Sequence, residues 1–134
     1  MITKGIKQLI AEAERRSTGI SIEAAQQRIG DEKTVFVDIR DVRELEREGM
    51  IPGAFHAPRG MLEFWVDPES PYFKPVFGED RTFILYCQAD WRGTLAAAAL
   101  ADMGMTNVLH LEGGFGEWRK AGAPTAAKPA KKKT

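Results

Sequence analysis

The residue with the most chemistry open to it is Cys87, the single cysteine of this 134-residue sequence. A lone cysteine forms no internal disulfide and no multi-cysteine metal cluster, so any task it has uses the free thiol. It follows the apolar run Phe83-Ile84-Leu85-Tyr86 and precedes Gln88-Ala89-Asp90-Trp91-Arg92-Gly93. A thiol attacks as its thiolate. If residues 88–93 curl around the sulfur, their backbone N–H groups form an anion nest, and a helix starting there adds its positive end. Arg92 adds a full charge, directed either at the sulfur or outward at an anionic substrate. Asp90 works in the opposite sense, because a carboxylate near the sulfur disfavours the thiolate unless it points away or pairs with a cation. Trp91 either forms an apolar rim or packs beneath the loop. The competing reading is a core cysteine at the end of a hydrophobic strand, since free cysteines are among the most often buried residues.

Other side chains carry weaker signals. Arg59 is a second anion contact or a surface ion-pair residue, and Glu63 would repel an anionic donor. Asp38 and Arg40 read as scaffold, a strand-end carboxylate and its cation tying loops together. His56 and His110 have no ligand cluster in sequence, and zinc sites normally need three or four protein ligands. Both histidines are read as structural or solvent-facing, and no metal is expected. Trp65 and Trp118 read as packing residues.

These groups need elements to hold them. Val35-Phe36-Val37 and Phe83-Ile84-Leu85-Tyr86 are apolar without alternation, as parallel strands covered on both faces are. Ala54-Phe55-His56 and Val108-Leu109 continue the series, and Ile20-Ser21 reads as a very short edge strand. Between them lie helical segments. Ile6, Leu9, Ile10 and Ala13 predict an amphipathic helix over residues 4–16. Ser21 caps a second helix bearing Ile22, Ala25 and Ile29. Asp41 with Glu44 forms a capping box for a helix that Gly49 stops. An Ala-rich helix runs from the cysteine loop through Met103, and Gly113-Gly114 turns into a last helix with Phe115 and Trp118. Strands alternating with helices predict an α/β, three-layer αβα fold with a small, mostly parallel central sheet. Such sheets place ligands beyond the carboxyl ends of their strands, which is the address of Cys87. Residues 60–80 carry too many prolines for a long element and suggest a wall or lid.

The 43% apolar and 28% charged content is that of an ordinary globular chain, and no stretch is long and apolar enough to span a membrane. The net charge is zero, with 19 basic and 19 acidic side chains. Four of the lysines are Lys128, Lys131, Lys132 and Lys133; without them 15 basic face 19 acidic groups, a net charge of about −4. Neither the body nor the tail reads as a nucleic-acid platform. Three segments are expected: an amphipathic helical extension over 1–18, one α/β domain over 19–124, and a Lys/Ala/Pro-rich disordered tail over 125–134. With no signal core at the N-terminus, the expected location is cytoplasmic.

From about residue 20 to 124 the sequence resembles a single-domain rhodanese-like protein. The resemblance is carried by Val35-Phe36-Val37-Asp38-Ile39-Arg40, by Glu44 with Gly49-Met50-Ile51-Pro52-Gly53-Ala54, and by the strand delivering Cys87. Leu111-Glu112-Gly113-Gly114-Phe115, Trp118 and Gly122-Ala123-Pro124 complete it. It implies sulfur transfer: Cys87 takes a sulfane sulfur from a small donor such as thiosulfate, holds it as a persulfide against the N–H groups of residues 88–93, and yields it to cyanide or a thiol. No cofactor is implied, and a partner protein is an alternative donor or acceptor. The loop from 87 to 92 has six residues, as in the family's sulfurtransferases, whereas related phosphatases have one more. Gly113 and Gly114 are implied to let backbone approach the cysteine loop. The sequence departs from the family's habits at Asp90, commonly Gly, and at Gly93, often Ser.

Overall fold

The computed structural model describes residues 1–129. Five short strands form one sheet: β1 (Gly19–Ile20), β2 (Thr34–Asp38), β3 (Phe55–His56), β4 (Thr82–Tyr86) and β5 (Val108–Leu111). Their order is β1-β5-β4-β2-β3, and every pairing is parallel. The helices are α1 (Ile6–Arg16), α2 (Ile22–Gln26), α3 (Val42–Glu48), α4 (Leu62–Val66), α5 (Trp91–Asp102) and α6 (Gly114–Lys120). Strand alternation sorts the core onto two faces. Val35, Val37, Phe83 and Leu85 pack with α4 and α5, while Phe36, Ile84 and Tyr86 pack with α2 and α6. This is the expected three-layer α/β arrangement.

Local signals act where expected. The Ser21 hydroxyl accepts from the Ala24 N–H at 3.1 Å. The Asp41–Glu44 capping box is complete, with Arg43 N–H on Asp41 and Asp41 N–H on Glu44, both at 2.9 Å. The edge strand lies one residue earlier than predicted, because Gly19 and Ile20 pair with His110 and Leu111. The second helix ends at Gln26, and Ile29 packs from the turn that follows.

The N-terminal extension is part of the same body. Ile10 and Ala13 are buried, α1 lies along α5, and the Arg16 guanidinium clasps Asp102 at 3.1 and 3.3 Å. At the other end, Met50 and Ala126 exchange two backbone hydrogen bonds of 2.8 Å. That bridge lies two residues beyond the expected domain end at 124, and residues 130–134 of the expected tail lie outside the described residues. The connection over residues 60–80 is a packed layer. Leu62, Val66 and Phe77 are buried, and the Phe77 ring meets those of Phe55 and Phe83 at 5.7 and 5.4 Å. No helix among the described residues is long and apolar enough to cross a membrane.

Candidate active site

The site forms where β4 ends and α5 begins. Cys87 Sγ accepts the N–H of Asp90 at 3.1 Å and of Gly93 at 3.3 Å. Of the loop residues 88–93, these two make the backbone hydrogen bonds to the cysteine sulfur. Sulfur is a weak acceptor as a thiol and a good one as an anion, so two converging donors suit the thiolate. Cys87 is 1% exposed and belongs to the core cluster beneath α5, so the sulfur that accepts these two N–H groups is also a buried one.

Backbone shape follows from residues 90 and 114. Asp90 has φ 74°, the left-handed value that turns the chain from strand to helix. Gly114 has φ 65°, and a Cβ there would fall 2.6 Å from the Cys87 carbonyl oxygen and 2.7 Å from that of Gln88. Those carbonyls instead accept the N–H groups of Phe115 at 2.8 Å and Gly116 at 3.0 Å, which pins the start of α6 to the loop. Gly114→Ala is expected to destabilise the protein by at least about 2 kcal/mol, combining left-handed strain with a backbone clash. Urea unfolding measures this, and an unchanged midpoint would mean that the close approach is not required.

The side chains of the loop divide their tasks. Trp91, the first residue of α5, is 53% exposed and so does not pack beneath the loop. Arg92 forms a fork with Glu44 of α3 at 2.9 and 3.0 Å. Hydrogen bonding from Arg92 holds the Glu44 carboxyl below its ordinary range, and Glu44 in turn raises Arg92. The capping-box residue of one helix thereby orients the cation beside the cysteine. Gln88 accepts from Arg40 at 3.2 Å, and Ala89 lies at the turn of the loop.

Beneath the loop, Arg40 and Asp38 are both 0% exposed. Arg40 donates to the two Asp38 oxygens at 3.0 and 2.7 Å and to the Gly49 carbonyl at 2.8 Å, and lies 4.5 Å over the Phe115 ring. Tyr86, whose hydroxyl burial pushes upward, accepts the Ile51 N–H at 3.1 Å beside this pair.

Arg59 and His110 each take one of the alternatives that the sequence leaves open. Arg59 is engaged by Glu63 across one helical turn at 2.6 Å, the ion-pair alternative; the i,i+4 spacing favours that contact. His110, read as structural or solvent-facing, is buried in β5 with Nδ1 2.9 and 3.0 Å from the two Asp90 oxygens. The carboxylate expected to trouble the sulfur is thus drawn to an imidazole. Sequence spacing gave no sign of this, because the pair meets only through the parallel register of Leu85 with His110. His56 donates its Nε2–H to the Arg40 carbonyl at 2.7 Å. Trp118 is buried and its indole N–H donates to the Pro124 carbonyl, while Trp65 packs its edge on Phe55. No cluster of metal-ligating side chains is found among the described residues.

Comparison with known proteins agrees with this architecture. The model of the rhodanese-like domain matches residues 21–121. A sulfurtransferase of Allochromatium vinosum is 33% identical over 81% of this chain and 94% of its own. A thiosulfate sulfurtransferase of Actinobacillus succinogenes is 30% identical over 80% of this chain and 88% of its own. Among solved structures, a Rhodopseudomonas palustris protein of unknown function, named a possible tyrosine phosphatase, is 49% identical with a TM-score of 0.91. That match covers 94% of this chain and 97% of the other.

Proposed function

This chain belongs to the rhodanese-like family, and from that premise we propose that it is a sulfurtransferase carrying sulfur on Cys87. The observation that carries the reading is the pair of backbone N–H groups converging on a lone sulfur at 3.1 and 3.3 Å. In the first step the Cys87 thiolate attacks the outer sulfur of thiosulfate; the donor's S–S bond breaks and sulfite leaves with the electron pair. The product is a persulfide whose outer sulfur is anionic. The first-turn N–H groups of Trp91 and Arg92, which no intrahelical acceptor takes, supply donors for it together with the helix dipole. In the second step cyanide or a thiolate attacks the outer sulfur, and the Cys87 thiolate departs. A preorganised nest stabilises both anions without reorganisation.

The likeness to a protein named a possible tyrosine phosphatase does not favour phosphate. The ring from 87 to 92 has six residues, and Arg92 is committed to Glu44. A tetrahedral phosphate needs a wider ring and a free guanidinium fork.

A second reading has one observation in its favour. Cys87 is nearly fully covered while Trp91 beside it stands out in solvent, an arrangement suited to a protein donor that delivers sulfur on contact. Intact mass after incubation with thiosulfate separates the two. A gain of one sulfur, removed by cyanide, is the expected result. No gain, with Cys87 still alkylated by iodoacetamide in the folded protein, would favour the protein donor. A thiol that reacts only after unfolding would refute both.

A further inference from the structure

The loop contains a charged residue in the one backbone state that L-residues avoid. Asp90 is the only non-glycine residue with positive φ among the described residues. A left-handed residue costs about 1–2 kcal/mol, and aspartate is tolerated there mainly when its side chain finds a hydrogen bond. In this loop that bond is remote: the carboxylate reaches His110, twenty residues on in a different strand.

The carboxylate also occupies space that another residue leaves free. A Cβ on Gly93 would fall 2.7 Å from Asp90 Oδ1, and the next obstacle, His110 Cβ, is at an ordinary 3.8 Å. Asp at 90 and Gly at 93 are two halves of one packing choice. Thr94 closes the arrangement, its hydroxyl donating to the Asp90 carbonyl at 2.8 Å and lying 3.4 Å from His110 Nδ1. The residues so constrained, 90 and 93, are the two whose N–H groups reach the sulfur.

We infer that His110, Asp90 and Gly93 form one positioning unit, in which the imidazole holds the Asp90 carboxylate over Gly93 so that both N–H groups stay aimed at the Cys87 sulfur. His110 is bonded to neither sulfur nor loop N–H; it acts through Asp90. Several other charged groups surround this unit. Arg92 and Glu44 lie on α5 and α3, and Arg40 reaches Gln88. Glu14 of α1 and Glu112 line a cleft of about 410 Å³ whose wall also includes Asp90 and His110. The inference rests on the proposed function only in taking Cys87 as the working sulfur.

The test needs no donor. Because the chain has one cysteine, its ultraviolet thiolate absorbance can be titrated against a Cys87→Ser baseline. His110→Ala is expected to move the thiolate titration upward by about one unit, a tenfold smaller thiolate-to-thiol ratio below the midpoint. His110→Asn, which keeps a neutral donor to the carboxylate, is expected to restore most of it, and a charge effect alone would not be restored. In Asp90→Gly, where glycine takes the left-handed state freely, adding His110→Ala is expected to change nothing further. Gly93→Ala is expected to reproduce the His110→Ala shift in the native background and to be silent with Asp90→Gly.

Equal shifts from His110→Ala in both backgrounds would overturn the unit, as would an unshifted titration in the folded His110→Ala protein. Should His110→Ala not fold, the Gly93→Ala cycle and His110→Asn decide the matter. A Gly93→Ala effect undiminished by Asp90→Gly overturns it.

Discussion

Cys87→Ser is expected to fold as the native protein does and to lose sulfur transfer by roughly a thousandfold or more, down to background. The substitution removes little volume at a site already fully covered, and a serine oxygen can accept the same two N–H groups, from Asp90 and Gly93. What it removes is the nucleophile: an alcohol neither attacks sulfane sulfur at neutral pH nor forms a persulfide. Thiocyanate production from thiosulfate and cyanide is the activity to follow, with the unfolding midpoint as the control. Turnover retained by the serine protein, or a sulfur gained by it, would place the chemistry away from residue 87. The sulfur carrier would then have to be a group other than a cysteine thiol, since the chain has no second cysteine.

Arg40→Ala is expected to have the largest effect on stability. Asp38 would remain in a site of zero exposure with its charge uncompensated, and breaking a buried pair by removing one partner costs about 3–5 kcal/mol. That is a large part of the roughly 5–15 kcal/mol that holds an ordinary domain together. Arg40→Lys is expected to rescue only part, because an ammonium cannot reach both Asp38 oxygens, the Gly49 carbonyl and Gln88 at once. Removing the charge from both partners, as Asp38→Asn with Arg40→Met, is expected to cost less than Arg40→Ala alone. Chemical denaturation of the three variants measures this. A loss below about 1 kcal/mol for Arg40→Ala would show that the pair does not sustain the fold.

Much of this protein was legible before any coordinates. Val35 to Val37 and Phe83 to Tyr86 are doubly covered strands because both of their faces meet helices, and a continuous apolar run is what such burial requires. The Asp41–Glu44 box is local chemistry, complete within four residues, so sequence spacing suffices to find it. Cys87 stood out because its place after a strand and before a helix is a property of neighbouring residues. Asp90 with His110 was hidden for the opposite reason. The pair depends on which strands are neighbours and in what register, and neither histidine nor aspartate announces a partner across a sheet. Arg59 offered two choices in sequence, and four-residue spacing to Glu63 decided it locally. The bridge between Met50 and Ala126 gives no sign in sequence, because it is made by backbone groups alone.

The strand order has a consequence for how the chain acquires its structure. Of the five strands β1 is made before the other four, yet its neighbour in the sheet is β5, nearly ninety residues later. The apolar side of α1, with Ile10 and Ala13, must likewise wait for α5. Every parallel pairing here closes a long loop before it returns any contact energy, which slows folding. Until α5 and β5 have been made, α1 and β1 therefore lack the partners they have in this fold, and their apolar side is open to chaperones.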